Sequence, residues 1–308
     1  MKKPLFDKLA VIGMGLIGSS IARAARAQGA VREIVATARS PKTRKRVVEL
    51  GLADKVVETN AEAVEGADLV IVCVPVGACG AVAKEIGRHL KPGTTVSDVG
   101  SVKRSVIRDM GPHLPKNVPF VPAHPVAGTE HSGPDAGFAD LFVNRWCILT
   151  PPEGTDTEAV DRLAAFWRLL GAKVEIMTAD HHDIVLAITS HVPHLIAYNI
   201  VGTAADMEEV TQSEVVKFSA GGFRDFTRIA ASDPVMWRDV FLNNKEAVLE
   251  MLGRFSEDLA ALQRMIRWDD AASLEALFTR TRAIRRGIIE AGQDTEAADF
   301  GRPHGHDD

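Results

Sequence analysis

The chain has 308 residues, 46% hydrophobic and 25% charged, the balance of a soluble globular protein with two cores rather than one. A formal net charge of −5 leaves no basic excess to neutralise phosphates, which argues against a nucleic-acid binder. Cys73, Cys79 and Cys147 are far apart and lack Cys-x-x-Cys spacing, so they read as small buried hydrophobes of a reducing compartment, with no disulfide or zinc site.

The N-terminal MKKPLFDK runs straight into a strand pattern with no apolar signal region, and no run reads as long enough to span a membrane. A cytoplasmic protein is expected. Residues 8–13, 33–38, 55–58, 67–75, 94–100, 119–124, 145–150 and 173–178 read as strands. Helix-like stretches at 16–28, 42–50, 78–90, 102–110 and 156–170 separate most of them. Nearly continuous apolar strands alternating with helices predict a parallel sheet covered on both faces. After Thr178 the strands stop, and residues 179–291 read as helices, with helical apolar spacing over 247–266 and a Ser232-Asp233-Pro234 helix start. The expected division is a dinucleotide-binding α/β domain over 1–178, an all-α domain over 179–293, and a polar, disordered tail over 294–308. The apolar helices after Asp233 carry more hydrophobic face than one small domain hides, so they are expected to pair two chains.

The first motif is Gly13-x-Gly15-x-x-Gly18, directly after a strand and opening a helix. Its glycines allow a tight turn, close approach of backbone to a pyrophosphate, and helix–strand packing, with the helix N-terminus facing the phosphates. Gly13, Met14, Gly15, Leu16, Ile17 and Gly18 are therefore the expected cofactor loop; the alternative is a glycine turn that binds nothing. At the end of the second strand, where NAD sites usually place an acid for the ribose, the sequence has Ala38, then Arg39 and Ser40. Arg39 and Ser40 suit a 2′-phosphate, which leans towards NADP over NAD. Lys42, Arg44, Lys45 and Arg46 also fit the solvated face of the next helix. Val74 and Pro75, and the segment carrying Ser101 and Lys103, fall at carboxyl ends of strands, where ligands bind in such sheets. Ser101 as a helix cap and Lys103 as a surface lysine are the bland alternatives.

In FVPAHPVAGTEHSG (120–133), His124 stands between Pro122 and Pro125, ahead of a glycine-containing loop. Prolines fix chain direction and glycines admit close backbone approach, so this histidine is held in place. Farther on, Ser190, His191 and His194 fall within about one helical turn around Pro193, which frees the carbonyl of Thr189. Packing and function both account for that group, and no third ligand makes it a metal site. His181 and His182, beside Asp180 and Asp183, read as a solvated helix start. In GGFRDFTRIAASDPVMWRD (221–239), Arg228 suits a bound carboxylate, or pairs with Asp225 on the same helix face.

Together, GMGLIGSS, DVGSVK, PAHPVAGTEHSG, TSHVPH and GGFRDFTRIAASDPVMWRD resemble the prephenate/arogenate dehydrogenases of tyrosine biosynthesis, over residues from about 8 to 290. The resemblance implies a Rossmann-type dinucleotide-binding domain followed by an all-α dimerisation domain. It implies oxidative decarboxylation of prephenate to 4-hydroxyphenylpyruvate, or of arogenate to tyrosine, with NAD or NADP and no metal. By it, His124 is the catalytic histidine that hydrogen-bonds the ring hydroxyl, and Ser101 binds the same hydroxyl. Ser190 and His194 line the substrate pocket, Arg228 holds a substrate carboxylate with Asp225 nearby, and Trp237 closes the site from its own or the partner chain. No appended regulatory domain is expected. The rival readings are another two-domain dehydrogenase or reductase, of the β-hydroxy acid dehydrogenase or pyrroline-carboxylate reductase kind, and a non-catalytic NADP-sensing protein.

Overall fold

Residues 4–129, 131–207 and 220–290 are described by the computed structural model. Glu130 and the tail over 294–308 lie outside them. Residues up to Met251 form one compact unit and those from Leu252 a second.

Five strands form one all-parallel sheet: β1 (Phe6–Ile12), β2 (Val31–Thr37), β3 (Lys55–Val57), β4 (Leu69–Val72) and β5 (Thr95–Asp98), in the order β3-β2-β1-β4-β5. The strand pattern explains the double cover. Along β1, Leu9 and Val11 enter one apolar cluster while Ala10 and Ile12 enter another; along β4, Leu69 and Ile71 oppose Val70 and Val72 in the same way. Side chains alternate across a strand, so both faces must be covered. The connecting helices are α1 (Leu16–Ala27), α2 (Pro41–Glu49), α3 (Asn60–Val64), α4 (Cys79–Ile86) and α5 (Arg104–Met110). The short α3 has no apolar period of its own to mark it in the sequence, and its start is fixed by a reciprocal capping box between Thr59 and Glu62.

The expectation of a single parallel sheet is corrected by the last three strands. β6 (Ala123–Pro125), β7 (Trp146–Leu149) and β8 (Lys173–Ile176) form a separate sheet in which β6 runs antiparallel to β7 and β7 parallel to β8. An isolated bridge between Val96 and Phe120 and the Ala123 N–H on Asp98 tie β6 and its approach to β5. The helix α6 (Thr157–Leu169) supplies Leu163, Phe166 and Trp167 to the same core that holds Leu9, Val121 and Leu149.

Helices follow. Thr178 caps α7 (Ala179–Leu186), which passes through a π-helical turn at Ala187–His191 into α8 (Val192–Asp206). This 28-residue run is long and apolar enough to cross a membrane by length and composition, contrary to the sequence reading. Its Asp183, His182 and His191 are buried and hydrogen-bonded within the first compact unit. Then come α9 (Gly221–Thr227), a 3₁₀ turn at Arg228–Ala231, α10 (Pro234–Asn243), α11 (Lys245–Arg267) and α12 (Ala271–Glu290). Asp233 caps α10 by accepting from the Met236 N–H, with Pro234 in the first turn, as the sequence predicts.

Candidate active site

Gly13 ends β1 with φ +99°, and a Cβ there would stand 2.5 Å from the Cys73 carbonyl oxygen at the end of β4. A Cβ on Gly18 would stand even closer to the Gly13 carbonyl oxygen, so both glycines are required by packing. Gly15 differs. It is the N-cap of α1, makes no side-chain capping bond, and a Cβ there would meet nothing within 4 Å. The α1 N-terminus is thus an uncapped ring of backbone N–H groups behind a glycine, which fits a pyrophosphate. Met14 is buried in the core and Leu16 and Ile17 are half-buried, so their part in the loop is backbone. Ala38 is buried and Arg39 exposed at the end of β2. Ser40 caps α2 through the Thr43 N–H, and Arg44 donates to the Ala38 carbonyl. Val74, half-buried, and Pro75, exposed, lead out of β4 on the same edge of the sheet as Gly13.

Beyond β5 the chain builds a buried polar ring. Lys103 is fully buried, which rules out the surface-lysine alternative. Its Nζ lies 2.5 Å from Asp98 Oδ2 and donates to the Ala123 carbonyl at 2.7 Å. Asp98 also accepts from the N–H groups of Gly100 and Ala123. Burial pushes the Asp98 carboxyl up, against the Lys103 ammonium and these N–H donors. Asp98 and Lys103 therefore grip the backbone on the N-terminal side of His124. His124 is buried, and its Nδ1 lies 2.9 Å from His182 Nε2. His182 Nδ1 lies 2.8 Å from Asp183 Oδ1, and Asp183 accepts from the backbone N–H groups of Lys103 and Arg104. The ring closes on the segment where it began. His182 and Asp183 are thus buried, not the solvated helix start that their neighbours suggest. Burial holds His124 well below the usual imidazole range; the Lys103 charge adds to this, as does any positive charge on His182 or His191.

A second group adjoins the first. The π-helical turn carries Ser190, whose carbonyl accepts from His194 Nδ1 at 2.8 Å. His194 stacks on Trp237 with ring centroids 3.7 Å apart. Burial lowers His194; the Ser190 carbonyl opposes this and the Arg228 charge reinforces it. Trp237 is buried against Val102 and Val240 of its own chain. His191, pulled down to about 4 by burial, links the groups: Asn244 donates to its Nδ1 at 3.1 Å and to the Asp183 carbonyl at 2.8 Å. The half-buried Ser101, on the segment joining β5 to Lys103, has its backbone facing His191. Asp225 and Arg228 are exposed at the end of α9 and the start of the 3₁₀ turn. Asn244 gave no sequence signal, because an asparagine near a helix start reads as a cap. Among the described residues no group of three or more His, Cys, Asp or Glu is placed to hold a metal.

The family model described as "Prephenate dehydrogenase, nucleotide-binding domain" matches residues 21–176, and "Prephenate dehydrogenase, dimerization domain" matches residues 178–280. The chain belongs to the prephenate dehydrogenase family. It is an NAD(P)-dependent oxidoreductase of the kind that oxidatively decarboxylates prephenate, arogenate or both in tyrosine biosynthesis. It is 42% identical to the cyclohexadienyl dehydrogenase of Zymomonas mobilis over 92% of this chain and 97% of that one. It is 32% identical to the prephenate dehydrogenase of Bacillus subtilis over 92% of this chain and 76% of that protein. Among solved structures, prephenate dehydrogenase from Aquifex aeolicus, in complex with hydroxyphenyl propionate and NAD+, superposes with a TM-score of 0.86. That pair is 33% identical over 92% of this chain and 98% of that one. Synechocystis arogenate dehydrogenase superposes with a TM-score of 0.78 at 27% identity, over 91% of this chain and 99% of that one. The matched nucleotide-binding segment begins downstream of the glycine loop, so the fit of that loop to a dinucleotide rests on its geometry.

Proposed function

We propose that the chain is a cytoplasmic, homodimeric prephenate/arogenate dehydrogenase in which His124 is the acid–base residue and NADP is the preferred cofactor. The observation that supports this best is the setting of His124: a neutral, buried imidazole in β6, beside the carboxyl end of β5 and anchored on both sides. The loop over Gly13, Gly15 and Gly18 would hold the nicotinamide cofactor, which would supply the acceptor for the hydride leaving the substrate ring carbon. His124 accepts the hydroxyl proton of that carbon, with Ser101 as the second group on the hydroxyl. Loss of carbon dioxide then leaves its bonding pair in the ring, and His124 returns the proton to the phenolic oxygen. No net proton is released, so the site needs a base that holds a proton briefly. Ser190, His194 and Trp237 form the substrate wall. Arg228 serves a substrate carboxylate, with Asp225 nearby, and its influence on His194 supports that placement.

The lean to NADP rests on Arg39, exposed beside a position without an acid. The dimer rests on apolar side chains left in solvent within each compact unit: Leu242 and Leu249 in the first, Trp268, Phe278 and Ile284 in the second. The test is steady-state turnover with prephenate and with arogenate, each with NAD and NADP. One carbon dioxide per reduced dinucleotide is expected, with NADP the more efficient acceptor. A protein that binds dinucleotide yet turns over neither acid would be the sensing protein instead.

A further inference from the structure

We propose that His182 and Asp183 are positioning residues that fix the tautomer of His124, leaving its Nε2 as the bare, proton-accepting atom of the site. The inference rests on the catalytic reading of His124 and concerns how that histidine is set.

The argument follows hydrogens around the ring. The Asp183 carboxylate receives backbone N–H groups on both oxygens, from Lys103 at 2.8 Å and Arg104 at 3.0 Å. Backbone N–H groups only donate, so Asp183 serves as an acceptor throughout. His182 Nδ1, 2.8 Å from Asp183 Oδ1, must then carry a hydrogen. A neutral His182 has its lone pair on Nε2, 2.9 Å from His124 Nδ1, so His124 Nδ1 carries the hydrogen between them. A neutral His124 is left with a bare Nε2. A cationic His182 would reverse the last link, but its burial and the neighbouring Lys103 ammonium both oppose a second positive charge there.

The titratable groups facing His124 are His182 and Asp183 from α7, Asp98 from β5, Lys103 after it, Cys147 from β7 and His191 from the π-helical turn. Each of them is buried. No proton has to leave this ring, because the one that His124 Nε2 accepts is returned to the product oxygen. The pair's work is to hold the imidazole in one tautomer and to steady the imidazolium that forms for an instant.

His182→Phe keeps a ring of similar size and removes the acceptor. His182→Gln places an amide oxygen where Nε2 stood. His182→Phe should lower kcat about 10- to 100-fold, the usual effect of losing such a support. KM for prephenate and for the cofactor should move less than about threefold. The acid limb of its kcat profile should shift to lower pH, since the imidazolium loses its acceptor. His182→Gln should recover most of the turnover. Histidine-selective 15N NMR on the unaltered protein reads the tautomer directly, with the His124 signals identified by their loss in His124→Asn. Protonated Nδ1 and bare Nε2 are expected. The opposite tautomer overturns the proposal whether or not the variants fold, as does a folded His182→Phe with unchanged kcat and pH profile. If His124→Asn itself keeps full turnover, the catalytic reading fails first; an inactive His124→Asn beside a fully active His182→Phe sinks only the positioning role.

Discussion

In the proposed mechanism, His124 is the residue on which the chemistry turns. Removing the imidazole should cost turnover far more than affinity: His124→Asn is expected to lower kcat by roughly two to four orders of magnitude, the range for a lost acid–base group, with little change in substrate KM. Rapid-mixing and steady-state kinetics check both numbers. Arg39 decides a narrower matter. It is exposed beside Ala38, where no acid repels a 2′-phosphate. Arg39→Ala should therefore lower the ratio of kcat/KM for NADP over NAD by about tenfold, one charge-assisted contact. An unmoved ratio would mean that Arg39 does not read the ribose. His124 and His194 stand out in the sequence because each sits beside a proline that constrains its backbone, and Ser190 because it falls within a turn of His194. His182 and Asp183 do not. They share a stretch with His181 and Asp180, and four polar residues in a row look solvated; only the packing of α7 against the Lys103 segment turns two of them inward.

At the scale of elements, the β1–α1 turn separates two glycines required by packing from Gly15, which faces open space and is proposed to face the ligand. Gly18→Ala pushes a Cβ into the Gly13 carbonyl and should cost about 3 kcal/mol of folding stability, the upper range for overpacking. Gly15→Ala meets open space at φ −83° and should stay within about 1 kcal/mol of the parent. It should nonetheless raise the dinucleotide Kd about tenfold or more, because its methyl group stands where the pyrophosphate approaches. Urea unfolding and cofactor titration on the same two variants separate the effects. The eight strands are legible because each is a short apolar run closed by turn residues. The break into two sheets is not, because both sheets draw on one core and the apolar pattern of β6 to β8 does not record which neighbour each strand pairs with. The π-helical turn at 187–191 is legible only through Pro193, which marks a disturbed helix without saying how the extra residue is accommodated.

For the whole molecule, the four lowered histidines make stability depend on acid. His124, His182, His191 and His194 all have folded pKa values below the usual imidazole value, so between the two values the unfolded chain binds more protons than the native one. Stability is then full above about pH 6.5 and falls as pH drops towards about 4, the level to which His191 is pulled. Asp98, raised by burial, works in the opposite sense, one group against four. Thermal unfolding across that window should show Tm falling steadily, and a flat profile would mean the histidines are not buried as neutral rings. Arg228→Ala tests the substrate wall against assembly: about a tenfold rise in substrate KM, modest change in kcat, and an unaltered dimer by light scattering are expected. Dissociation would make Arg228 an interface residue. The ring through Asp98, Lys103, His124, His182 and Asp183 also bears on how such enzymes recombine. It crosses the point near residue 177 where the two family segments meet, so a hybrid joined there would take its base from one parent and the support of that base from another. Hybrids spliced after Leu186 instead inherit the whole ring from a single parent, and that is where a working exchange of helical halves between relatives is to be sought.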